Sequence, residues 1–147
     1  MNPLSRFTLT ILIALFCLAS QPQLNAEPTA TPIKVVYHID DASVGRFALA
    51  IAADQLQTNP QMQIAMVTYA AGVDFLLQDA KDSKGRPYAP AVQALLEQGV
   101  EFKVCAATLK FRDIARDSVL TGMQFVPAGT YEVIRLQAEE GYVYLKP

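Results

Sequence analysis

The stretch "IKVVYHIDDASVGRFALAIAADQLQTNPQMQIAMVTY", residues 33–69, decides the fold. Its first seven residues are β-branched and mostly apolar, as in a buried strand. Asp40, Asp41 and Ser43 then offer side chains that can cap a helix. From Val44 to Leu56 the apolar residues recur at helical spacing: Val44, Phe47, Ala48 and Ile51, with Leu49, Ala52, Ala53 and Leu56 alongside. Pro60 in "TNPQ" breaks that helix, and "MQIAMVTY", residues 62–69, reads as the next strand.

The same alternation continues to the C-terminus. "AAGVDFLLQ" reads as a turn and a short helix, and "DAKDSKGRP", residues 79–87, as an exposed loop. "PAVQALLEQG" is a helix closed by Gly99, "VEFKVC" a strand and "LKFRDIARDS" a helix. "MQFVP" is a short strand stopped by Pro127, followed by a helix over "GTYEVIRLQAEEG" and a last strand over "YVYLK", residues 142–146. Strands that alternate with helices predict an α/β fold around a mostly parallel sheet of about five strands. The last strand places Tyr142, Tyr144 and Lys146 on one face, so an exposed aromatic face and a homo-oligomer are expected.

Residues 1–26 have the order of a secretory signal peptide: Arg6, the uncharged run "FTLTILIALFCLA" over residues 7–19, and a small residue, Ala26, before the expected cut. The apolar run is shorter than the roughly 20 residues that span a bilayer, so cleavage is expected rather than stable membrane insertion. The export route predicts a periplasmic protein. Residues 27–32, "EPTATP", form a short flexible leader, and residues 33–147 a single domain. Cleavage would remove Arg6 from the 12 basic side chains and leave the 14 acidic ones, a net charge of about −3. That balance offers no basic patch for nucleic acid. P-loop, dinucleotide and nucleophile-elbow motifs are all missing from the sequence.

Cleavage also leaves Cys105 as the one cysteine, which excludes a disulfide framework. Its thiol is then sheltered, intermolecular or used. In a parallel sheet the C-terminal strand ends share one edge, where ligands bind. Here that edge gathers His38, Tyr69, Cys105 and the Ala128–Gly129 turn. A helix starting within Ala106, Ala107 and Thr108 would aim free N–H groups at the sulfur and lower its pKa. Lys103 leaves the strand on the side of Cys105, and Lys110 and Arg112 follow closely, so positive charge around the thiol is expected. A buried, inert cysteine is the plainer alternative. His38 is the only histidine and could be an acid, a base or merely a hydrogen-bonding strand end. One His with one Cys gives no metal site.

The segments "KVVYHIDD", "AMVTYAAGVDFLL", "LLEQGVEFKVCAATLKF" and "VPAGTYEVIRLQAEEGYVYLKP" together resemble the DsrE/DsrF-like proteins of the sulfur-relay superfamily. "GVEFKVC" and the C-terminal stretch are the most specific pieces. The resemblance implies a three-layer α/β/α sandwich, commonly assembled into oligomers. It also implies that Cys105 carries sulfane sulfur as a persulfide, exchanged with a donor or acceptor protein or a small sulfur compound. No cofactor is then needed, because sulfur is the transferred group. A non-catalytic binding or assembly protein with a structural cysteine is the rival reading, and an exported redox sensor a third.

Overall fold

The computed structural model describes residues 31–147, so the expected signal peptide and most of the leader lie outside the described residues. The elements are β1 (Lys34–Ile39), α1 (Gly45–Thr58), β2 (Gln63–Thr68), a 3-10 segment (Ala70–Leu76) and α2 (Ala89–Glu97). They continue as β3 (Glu101–Cys105), α3 (Ala106–Phe111), β4 (Gln124–Val126), α4 (Gly129–Glu140) and β5 (Val143–Leu145). The five strands form one sheet in the order β4-β3-β2-β1-β5, and every pair is parallel. Among the described residues no helix is long and apolar enough to cross a membrane.

Side chains alternate across the sheet with a period of two, and this splits the core. Val35, Tyr37, Ile39, Met66, Phe102 and Val104 face α1 and α2, where Leu49, Ala52, Leu56, Val92 and Leu95 cover them. Val36, Ala65 and Val67 face the other way, against Val133 and Leu136 of α4 and against Tyr142. The chain crosses in one direction from β1 to β4 and then returns over the sheet to β5. Right-handed crossovers travelling in opposite directions put their helices on opposite faces, so α4 stands apart from α1 and α2.

Several local expectations are corrected. The helix after Cys105 ends at Phe111, where Asp113 turns the chain with φ 53°, and Arg116–Ser118 is only a 3-10 turn. Aspartate tolerates that left-handed region better than most residues, so the stop carries no glycine or proline signal. The short helix expected after β2 is present as a 3-10 helix, Ala70–Leu76, and it is held close to β1. A Cβ on Gly72 would lie 2.2 Å from the Ile39 carbonyl oxygen. Phe47 is exposed, because the buried stripe of α1 runs through Ala48, Leu49, Ala52 and Leu56. Tyr142 is buried beneath α4, which leaves Tyr144 as the exposed aromatic of the last strand.

One charged cluster is built into the α4 face. Glu132 of α4 is buried and accepts both Arg135 Nε at 2.9 Å and Nη2 at 2.8 Å. Lys103 Nζ lies 3.3 Å from Glu132, 3.0 Å from Glu101 and 2.9 Å from Gln124 Oε1. The Arg135 hydrogen bonds lower the Glu132 pKa, burial opposes them, and the Lys103 charge adds to the lowering. A carboxylate with a depressed folded-state pKa stabilises the fold above the ordinary glutamate range. That contribution disappears as pH falls through the lowered value.

Glu132→Leu is expected to cost about 2 kcal/mol, because the buried Lys103 ammonium loses one of its two carboxylates and keeps Glu101 and Gln124. Urea unfolding at neutral pH measures this. The difference between variant and parent should shrink as the pH is taken into the acid range.

Candidate functional site

Strand parity decides which side chains meet at the C-terminal edge. On β3, Phe102 and Val104 belong to the α1 face, so Lys103 and Cys105 face α4. On β1, His38 shares the parity of Val36, and after β2 Tyr69 shares that of Val67. His38, Tyr69 and Cys105 therefore lie on one face of one edge. Gly129, the first residue of α4, sits between the last two. A Cβ there would meet Tyr69 Cβ at 3.1 Å and Cys105 Cβ at 3.2 Å. The missing side chain is what lets the α4 N-terminus close on the sulfur.

Cys105 caps α3. Its Sγ accepts the Thr108 N–H at 3.4 Å, as the expectation of a helix opening at Ala106, Ala107 and Thr108 required. Polar groups of Thr108, Gly129 and Ala107 favour the thiolate over the thiol, the Ala107 N–H while bonding the Pro127 carbonyl oxygen at 3.2 Å. Burial pushes the Cys105 thiol up, with 5% of the residue exposed, but these groups outweigh it and bring it below the ordinary thiol value.

The expected basic neighbours contribute otherwise. Lys103 is occupied by Glu101 and Glu132. Arg112 pairs with Asp74 at 2.6 Å and donates to the Ala70 carbonyl oxygen at 2.8 Å. Dipoles rather than cations thus account for the thiol. Parity in the sequence shows which side of the strand Lys103 leaves, but not the acidic partners waiting on α4.

Both ring nitrogens of His38 are taken, so it forms no dyad with Cys105. Nδ1 shares a hydrogen bond with Tyr144 Oη at 2.7 Å, and Nε2 shares one with Tyr69 Oη. A neutral imidazole donates from one nitrogen and accepts at the other. Burial lowers the His38 pKa, Lys146 lowers it further and Asp40 opposes both, which favours that neutral form. The ring stacks on Tyr69 with centroids 5.0 Å apart. Lys146 and Asp40 are themselves paired at 2.6 Å. His38 thus orients Tyr69, and Tyr69 packs against Gly129 beside the thiol. Tyr144 was not among the sequence candidates, because its partnership with His38 spans 106 positions.

An open groove of about 540 Å³ runs along Tyr69, Ala70, Ala71, Ala107, Thr108, Phe111 and Arg112, with Cys105 itself outside its lining. Its lining is mostly apolar, and Phe111 is 92% exposed at its rim. A separate cleft around Arg46, Asp82 and Tyr88 pairs its own charges, Arg46 with Asp82 at 3.1 Å and Arg86 with Asp82 at 2.8 Å. Among the described residues no group of three or more His, Cys, Asp or Glu side chains could hold a metal ion.

The model of the DsrE/DsrF-like family matches residues 36–147. Among solved structures, a protein of unknown function from Methanobacterium thermoautotrophicum, MTH1491, is 29% identical, with a TM-score of 0.69. That match covers 78% of this chain and 99% of that one. The ychN protein from E. coli is 16% identical with a TM-score of 0.65, covers 80% of this chain and 100% of its own, and speaks for the fold. No curated protein matches the sequence.

The thiol should ionise below the roughly 8.5 of a free cysteine, read as the midpoint of alkylation rate against pH. Gly129→Ala should raise that midpoint, because the added Cβ pushes the α4 N–H away from the sulfur. Lys103→Met should move it less than Gly129→Ala does, because the Lys103 ammonium is engaged by Glu101 and Glu132.

Proposed function

The chain belongs to the DsrE/DsrF-like family, and we propose that it handles sulfur, carrying sulfane sulfur as a persulfide on Cys105. The family suggests a role of the sulfur-relay type. The observation that carries the finer reading is the Thr108 N–H on Sγ at the opening of α3, with Gly129 at the start of α4 packed against the same cysteine. A packed, inert cysteine needs no such donor.

The transfer balances without a cofactor. The Cys105 thiolate attacks the outer sulfur of a donor R–S–SH, the donor S–S bond breaks, and R–S⁻ leaves. Cys105 then holds S–SH. In the second half an acceptor thiolate attacks that outer sulfur, the Cys105 S–S bond breaks, and the Cys105 thiolate departs. Exchange of this kind is faster when the leaving thiolate has a low pKa. The donors that hold the attacking thiolate also hold the leaving one. The groove along Tyr69, Ala71 and Phe111 is where the donor or acceptor would lie. Gly129 and Thr108 shape the sulfur's pocket, and His38 steadies its Tyr69 wall.

The rival reading, a non-catalytic protein on the same scaffold, is favoured by the low exposure of Cys105. The reading of residues 1–26 as a signal peptide places the proposed carrier in the periplasm, where a donor other than the cytoplasmic relay must supply the sulfur. We also propose that it works as a homo-oligomer. Tyr131 and Ile134 on α4 and Val143 on β5 are exposed large apolar residues.

Purified protein incubated with thiosulfate, polysulfide or a persulfide donor should gain one sulfur atom by intact mass. The adduct should be removed by reductant and absent from Cys105→Ser. No adduct with any donor would sink the carrier reading and leave the packed cysteine. On native material, N-terminal sequencing of the periplasmic fraction should begin near Glu27. Light scattering should give more than one chain per particle; a full-length membrane-bound chain or a monomer would remove the respective proposal.

A further inference from the structure

Ala70, the residue after Tyr69, has a φ of 48°. Residues with a Cβ rarely enter that left-handed region, and alanine has no side-chain polar group to stabilise itself there. Two hydrogen bonds to α3 and its C-cap hold the Ala70 backbone in place. Its N–H donates to Thr108 Oγ1 at 3.0 Å, and its carbonyl oxygen accepts from Arg112 Nη1 at 2.8 Å. Arg112 is fixed in turn by Asp74, whose Oδ1 is 2.6 Å from the same Nη1. That carboxylate oxygen is shut off from solvent and makes no aligned hydrogen bond, so the Arg112 charge is its compensation. Strained backbone held this firmly is a feature of functional sites, and here it ends on Thr108, next to the sulfur.

A threonine hydroxyl has one proton to give and two lone pairs to receive. The Ala70 N–H occupies a lone pair and sets the orientation of Oγ1. The same residue gives its backbone N–H to Cys105 Sγ at 3.4 Å, so what fixes the Thr108 side chain also sets that donor. We infer that Asp74 and Arg112 are positioning residues for the Cys105 sulfur, acting through the Ala70 peptide on Thr108, whose N–H caps that sulfur. This rests on Cys105 being the working atom of the proposed carrier, but it concerns the thiol's ionisation rather than its cargo. The other charged groups on the elements around the sulfur stay as they are: Lys103 and Glu101 on β3, Glu132 and Arg135 on α4, and Lys110 on α3. So do His38, Asp40 and Lys146 behind Tyr69.

The alkylation midpoint of Cys105 is measured in Asp74→Asn, Arg112→Ala, Arg112→Lys and Thr108→Val, with urea unfolding in parallel. Asp74→Asn separates the possibilities by sign. Removing a negative charge would by Coulomb's law alone lower a thiol midpoint, whereas loosening the Arg112 anchor should raise it. The expected rise is about half a pH unit, a threefold loss of thiolate well below the midpoint. Arg112→Ala should raise it likewise, and Arg112→Lys should recover part of the loss. In the Thr108→Val background, Arg112→Ala should add nothing, because the route through the hydroxyl is already cut. An Asp74→Asn midpoint that falls or stays put overturns the inference. So does an Arg112→Ala shift that persists undiminished in Thr108→Val. If Arg112→Ala does not fold, Asp74→Asn alone and combined with Thr108→Val supplies the same cycle. Sulfur uptake by the parent protein is scored separately. A parent that takes no sulfur but shows the coupling defeats the carrier reading and leaves the positioning chain standing.

Discussion

The return crossing from β4 to β5 is the constraint on which the rest depends. Four strands are laid down in one direction, and the fifth must be reached from the far edge. A right-handed connection travelling that way can only pass over the opposite face. It therefore carries α4 across the face that Cys105, Tyr69 and His38 share. Its first residue arrives at the end of β3, where the sheet edge is already occupied by the start of α3. Two helix beginnings then meet at one sulfur. Gly129 is what makes the approach sterically possible.

That arrangement explains why the thiol is both buried and ionisable. Burial alone would raise its pKa. A nearby lysine would offset this, but in a parallel sheet a lysine two residues earlier also faces the overlying helix. Here that helix supplies Glu132, and the ammonium is spent on structure. Backbone N–H groups do not have this second use. They are oriented by the fold before any sulfur chemistry begins, the Thr108 N–H at 3.4 Å from the sulfur among them. The same logic assigns the histidine. With Tyr69 on one nitrogen and Tyr144 on the other, His38 has no free valence for the thiol and acts as a brace.

The order of strands and helices was legible because each strand is β-branched and each main helix carries its apolar stripe or its closing glycine. Gly141, with φ 73°, ends α4 where the sequence placed it. The strand end at Cys105 and the turn at Ala128–Gly129 were legible for the same reason, since both sit where a hydrophobic run stops. Features set by distant partners were not. Nothing local marks Ala70 for a left-handed conformation, and nothing in "LKFRDIARDS" marks Asp113 as a stop. Phe47 fits the helical spacing of α1 yet falls outside its buried stripe. Tyr142 alternates with Val143 as an exposed strand would, but α4 covers it. In each case the deciding contact lies on another element, which periodicity along one segment does not encode.

The charge pairing around the thiol has a consequence for how a partner finds it. Lys103, Arg112 and Lys146 each face a carboxylate, so these three charges project little net potential into solvent. Long-range attraction is what speeds the encounter of oppositely charged molecules, and it is also what salt suppresses. A site built from fixed dipoles at contact range offers neither the acceleration nor the sensitivity. Collisions are then sorted by shape, at the apolar lip formed by Tyr69, Ala71 and Phe111. The pace of encounter should be that of an unsteered pair, nearly indifferent to the ionic strength of the surroundings.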